Sequence, residues 1–185
     1  MRQLPALLLL LCCTLVQASP ADKLKEANFA AQWSDNSPAL QRKSEALLNY
    51  LWVDVYAAAV FTEAAISPAQ AFNDKRDLRL ELYYFRDIDR NDVIKAATVT
   101  IKRQLDPARL AKLQAELDRL HEGFQNIRQG DRYALVYRRP GQLTLERNGQ
   151  AFFHSDNPDL ARAYLGIWLA PNGLSDSLRT ALLQP

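Results

Sequence analysis

Leu78-Arg-Leu-Glu-Leu-Tyr-Tyr84 alternates apolar and polar side chains. A period of two predicts a strand with Leu78, Leu80, Leu82 and Tyr84 on one face and Arg79, Glu81 and Tyr83 on the other. Upstream, Leu47 to Phe61 is rich in β-branched and aromatic residues and free of Gly and Pro. It reads as one long, bulged strand or as two strands, with a short strand before it at Ala39 to Lys43. Asp22 to Trp33 fits either a short helix or an edge strand. Downstream the period changes. Ile94, Ala97, Ile101 and Leu105 form one helical stripe, with Asp89 or Asn91 as its cap. After Pro107 the gaps of three and four through Leu110, Leu113, Leu117, Leu120, Phe124 and Ile127 predict a second helix, ended by Gly130.

Pro140-Gly141 and Asn148-Gly149 then divide three short strand patterns, Tyr133–Arg138, Gln142–Arg147 and Gln150–His154. Asn-Gly is the strongest two-residue hairpin signal, so these predict an antiparallel meander. Pro158 opens a helix to about Leu169, and Ser175 caps a last one. Strands, helices, strands, helices make an α+β domain: an antiparallel sheet with helices packed on one side. No repeat or composition shift marks a second domain, so residues 19–185 are expected to form one.

The first residues change the picture. Arg2, the apolar run Leu4 to Val16 and the small residues ending at Ala18 have the pattern of a signal peptide, residues 1–18. The run is shorter than the roughly 20 residues that span a bilayer. Cys12 and Cys13, the two cysteines of the chain, fall inside it. The exported chain would have no disulfide, thiolate nucleophile or cysteine metal site. Lys and Arg number 23 against 21 Asp and Glu, with no basic block, which argues against nucleic acid as a partner. The two histidines, His121 and His154, show no metal-ligand spacing, and no metal or cofactor is expected.

VDVYAAAVF (Val53 to Phe61), LELYYFRDI (Leu80 to Ile88), the Gly130-Asp131 turn, the Asn148-Gly149 hairpin, YLGIWLA (Tyr164 to Ala170) and SLRTALL (Ser177 to Leu183) stand in a distinctive order and spacing. In these the chain resembles the bacterial chalcone isomerase-like family, exported members of the wider chalcone isomerase fold. The resemblance covers about Phe29 to Leu183. It implies an open-faced β-sandwich with a ligand cleft between sheet and helices. In plant members the cleft cyclises a chalcone to a flavanone, using an arginine and hydroxyl side chains; related non-catalytic members bind fatty acids. Tyr56 matches the position of a strand hydroxyl in the plant enzymes. Their Gly-Val-Arg-Gly motif has no counterpart here, and Arg42 is the nearest arginine. The resemblance therefore implies binding rather than cyclisation.

Four residues are candidates for the ligand site: Tyr56, Tyr84, Arg86 and Arg42. Tyr56 is read either as a cleft hydroxyl or as a buried tyrosine bonded to backbone. Arg86 is read as an anion anchor, its planar donors matching a carboxylate, or as part of a capped strand-to-helix turn. Asp54 is expected to be structural, because a buried unpaired carboxylate is costly. Arg138-Arg139 reads as a solvated pair at a hairpin tip, and Trp52 and Trp168 as core. Gly166, inside a helix, suggests close approach of that helix to the sheet. His154-Ser155-Asp156 is not read as a triad, since such groups converge from separate segments. The expected function is exported, non-catalytic binding of a small apolar or fatty-acid-like molecule. The alternatives are an intramolecular lyase or isomerase in the same cleft, and an envelope protein-interaction module.

Overall fold

The computed structural model describes residues 19–35 and 37–184; the expected signal peptide and both cysteines lie outside the described residues. The described chain folds as α1 (Pro20–Ala27), β1 (Gln32–Trp33), β2 (Leu40–Tyr50), β3 (Val53–Thr62), α2 (Pro68–Asn73), β4 (Leu78–Tyr84), α3 (Arg90–Gln104) and α4 (Pro107–Glu122). The meander β5 (Arg132–Arg138), β6 (Gln142–Arg147) and β7 (Gln150–Ser155) precedes α5 (Pro158–Leu169) and α6 (Asp176–Leu183). All seven strands pair antiparallel in sequence order, β1 to β7. This is the expected α+β architecture, one antiparallel sheet against a helix layer. No helix among the described residues is long and apolar enough to cross a membrane.

Local chemistry explains the boundaries. Ser19 and Asp22 form a capping box at α1, Ser67 and Gln70 another at α2, and Asp89 caps α3. α4 ends at Glu122 rather than near Gly130: the apolar spacing continues, but Phe124 and Ile127 are buried from the following loop, where Ile127 bridges to Ile88. Residues 22–33 hold both expected alternatives, a helix and then a two-residue strand.

The long strand pattern around Leu47 to Phe61 is a hairpin. β2 and β3 meet at Leu51-Trp52, both with positive φ (48° and 67°). A bulge between Arg42 and Ser44 shifts the β2 register by one. It reverses the alternation, because side chains point up and down with period two. Leu40 then shares the core of Phe61, while Ala46 shares the core of Val60.

The helices are not confined to one side of the sheet. α2 to α6 cover the face that carries Ala46, Tyr56, Ala58, Val60, Leu80, Leu82 and Tyr84. α1 crosses the opposite face, where Ala27 and Phe29 pack with Leu40, Ala57, Ala59, Phe61 and Phe85. Along β3, alternate residues therefore enter different cores, and burial of each large side chain contributes about 1.5–3 kcal/mol. Trp52, expected in the core, is 96% exposed. Arg138 and Arg139, expected to be solvated, clamp Asp77 and reach Asp35 and Glu63. Gly166 faces α3 rather than the sheet: Gln104 donates to its carbonyl at 2.8 Å, and an added Cβ would lie 3.1 Å from Gln104 Oε1.

Candidate functional site

Between the sheet and α3, α5 lies a cavity of about 600 Å³. Its walls are mostly apolar: Leu48 and Val55 from the first hairpin, Leu82 and Leu135 from central strands, Val93 and Ala97 from α3, and Ile167 from α5. The size and lining are those of a small-molecule site.

Tyrosines supply most of the interior polar groups. Tyr56, Tyr84, Tyr133 and Tyr164 all line the cavity and are buried. Tyr56 and Tyr84 pack edge to face at 5.3 Å, and Tyr84 and Tyr133 at 5.9 Å between ring centroids. Trp168 Nε1–H donates to Tyr56 Oη at 2.9 Å. That bond uses a lone pair of Tyr56 and leaves its own O–H proton for another acceptor. Tyr133 Oη is buried with no hydrogen-bond partner among the described residues. An unpartnered buried hydroxyl costs about 1–3 kcal/mol, which an incoming acceptor would offset.

Burial raises the pKa of all four phenols above the ordinary tyrosine value, and the neighbouring tyrosines raise Tyr84 further. The hydroxyls stay protonated at neutral pH. They can donate hydrogen bonds but are poor proton-abstracting bases.

Charge is confined to one stretch of the wall, Arg86, Asp87, Asp89 and Asp92. Asp87 binds Arg128 at 2.8 Å and the Gln129 N–H at 2.8 Å, and the latter bond, then Arg128, hold its carboxyl below the usual range. Asp89 caps α3, and Arg90 donates to the His121 carbonyl. Arg86 is exposed and makes no ion pair or hydrogen bond with the described residues. Its neighbours do form the expected capped and paired strand-to-helix turn, but Arg86 itself stands outside it.

Three of the four candidate residues, Tyr56, Tyr84 and Arg86, are brought to one cavity. Arg42 is not. The β2 bulge turns it to the α1 face, where it donates to the Phe29 carbonyl at 2.9 Å and to Glu45 at 2.8 Å. Asp54 pairs with Asn49 beside the hairpin turn, half-buried and outside the cavity wall. Tyr133, Tyr164 and Trp168 line the cavity without having been singled out as ligand residues. The signals were present: the period of two puts Tyr133 on one face with Leu135, and Tyr164 and Trp168 are one helical turn apart. Nothing in the sequence revealed that α5 turns that face toward Tyr56.

His154 and Asp156 sit together on the surface, with Ser155 hydrogen-bonded instead to Glu116 at 2.5 Å. Among the described residues no cluster of three metal-ligating side chains occurs.

Comparison with known proteins places this geometry. No curated protein sequence matches the chain. Among solved structures it is similar to a fatty-acid binding protein of Arabidopsis thaliana, with a TM-score of 0.62 at 14% identity, over 84% of this chain and 90% of that one. That likeness concerns the fold. The family model described as chalcone isomerase-like matches residues 21–184, nearly all of the described chain. The chain belongs to the chalcone isomerase-like family.

Proposed function

We propose that this protein is an exported bacterial binding protein that holds a small, elongated apolar molecule with an acidic or phenolic end, and does not transform it. The observation that carries the reading is a largely apolar cavity whose interior polar groups are neutral donors and whose charged wall holds one unpaired guanidinium, Arg86, beside Asp87, Asp89 and Asp92. Burial of the apolar body would supply affinity, and the polar groups orientation. Arg86 would take the anionic end. Tyr56 and Tyr133 would donate to oxygens deeper in the cavity. The fatty-acid binding protein of similar fold supports this class of ligand. The apolar run and small residues ahead of Ser19 support export. Against catalysis stand the raised phenol pKa values and the position of Arg42 on the far face of the sheet.

The test is native mass spectrometry of the protein purified from its producing cell, followed by solvent extraction. A stoichiometric apolar acid or phenol, on a chain beginning at Ser19, is the expected result. An empty protein that copurifies with a second chain would move the function to protein interaction. Turnover of the extracted molecule, lost in Tyr56→Phe, would make the cavity an active site.

A further inference from the structure

Among the described residues, two hairpins have two-residue turns with both central residues at positive φ. At one, Asn148 (φ 50°) and Gly149 (φ 80°) are the residues this turn favours. At the other the same positions hold Leu51 and Trp52. Both are bulky L-residues that resist the left-handed region, so the turn stores backbone strain. Nor does packing explain them: Leu51 is 73% and Trp52 96% exposed, flanked by Tyr50 at 68% and Val53 at 42%. Four of the five large apolar side chains exposed among the described residues are therefore consecutive, a patch and not scatter. The patch is continuous with the cavity, which Leu48 and Tyr50 line.

We propose that the Tyr50–Val53 hairpin tip is a membrane-docking element that enters the interfacial layer of a lipid bilayer and brings the cavity mouth against it. Three features favour a bilayer over a protein partner. Trp and Tyr with an apolar residue between them suit the boundary between headgroups and acyl chains. The tip is four residues on a two-residue turn, whereas a stable protein interface needs roughly 20 residues a side. Leu47 to Val53 contains no charge, so the tip crosses the headgroup layer without a desolvated ion. The charged cavity wall, Arg86 against Asp87, Asp89 and Asp92, is net acidic. Docking would thus be driven by apolar insertion and not by attraction to anionic lipid. The lipid surface would be the source or destination of the apolar ligand; that part rests on the binding function proposed above, while docking itself does not.

The experiment is flotation of the purified protein, as the cell processes it, with phosphatidylcholine vesicles. Quenching of tryptophan fluorescence by brominated acyl chains is read in parallel. Expected are binding that persists in high salt, and quenching. In Leu51→Asn/Trp52→Gly, vesicle partition should fall by more than about tenfold, the scale of losing two inserted side chains. The same variant should melt at a higher temperature, because its turn now suits its φ values, and should still bind a soluble apolar probe in the cavity. No flotation of the wild type, or flotation unchanged in the variant, would overturn the proposal. So would lipid-free dimerisation of the wild type that the variant abolishes, because the tip would then be a protein contact.

Discussion

The two faces of the sheet treat polar groups in opposite ways. On the α1 face, charge is buried and paired. Arg79, only 7% exposed, lies between Glu81 at 3.0 Å and Glu146 at 2.7 Å with Trp33 over its guanidinium. Arg132 closes the group on Glu81 at 2.9 Å. On the helix face, the buried polar groups around the cavity are neutral, and two have unused hydrogen-bond capacity, Tyr133 Oη and the proton of Tyr56; at the exposed end of the wall Arg86 is unpaired. The first arrangement is self-sufficient and resists change. The second carries a standing cost that a ligand can remove. Partnerless hydroxyls lining a cavity thus point to a binding face, whereas a dense ion-pair network points to a structural one.

Breaking the network on the α1 face should have the largest effect. Arg79→Ala leaves two nearly buried carboxylates without their shared cation and should cost roughly 3 kcal/mol in urea denaturation. Ligand affinity of the folded variant should be unchanged, since neither Glu81 nor Glu146 reaches the cavity. Gly166→Leu comes next. The close approach of Gln104 leaves no room for the side chain, and about 2 kcal/mol of stability should be lost. Here binding should suffer too, because α3 and α5 form cavity walls. Tyr133→Phe sharpens the contrast in sign. Removing an unpartnered hydroxyl should leave stability unchanged or raise it by up to ~1 kcal/mol, yet weaken a ligand whose oxygen uses that proton.

The smallest effect is that of pH. His121 is half-buried beside Tyr164 and Phe124, and burial, the largest influence, holds its pKa below the usual 6.5. Below pH 6.5 the unfolded chain takes up a proton that the folded chain refuses. Stability should therefore fall as pH drops from 7 toward 5.5, and His121→Gln should flatten that slope. Urea midpoints across the range would show whether it does.

Much of the fold was legible because period and punctuation agreed. Leu78–Tyr84, the β5–β7 meander with its Asn148-Gly149 turn, and the Pro158 and Ser175 helix starts all pair a clear pattern with a matching cap or turn. The first hairpin was hidden for the converse reason. Leu51-Trp52 contains no turn-forming residue, so the segment reads equally as one bulged strand or as two, with no turn to place between them. The bulge at Lys43 was equally silent, and it alone sends Arg42 to the wrong face for the cavity. Tyr56 and Tyr84 were found from strand alternation and family position. Tyr133, Tyr164 and Trp168 needed the packing of α5 on the sheet, a long-range contact that periodicity does not encode.

The central claim is that the unpartnered groups of the helix face await one acidic, apolar molecule. The most direct measurement is a calorimetric titration of a long-chain fatty acid into the wild type, Arg86→Ala and Ala97→Phe. Expected are one-to-one binding with a negative heat-capacity change, about tenfold weaker binding in Arg86→Ala, and weaker binding when Ala97→Phe narrows the cavity. Binding of equal strength in all three proteins, or none in the wild type, would contradict it.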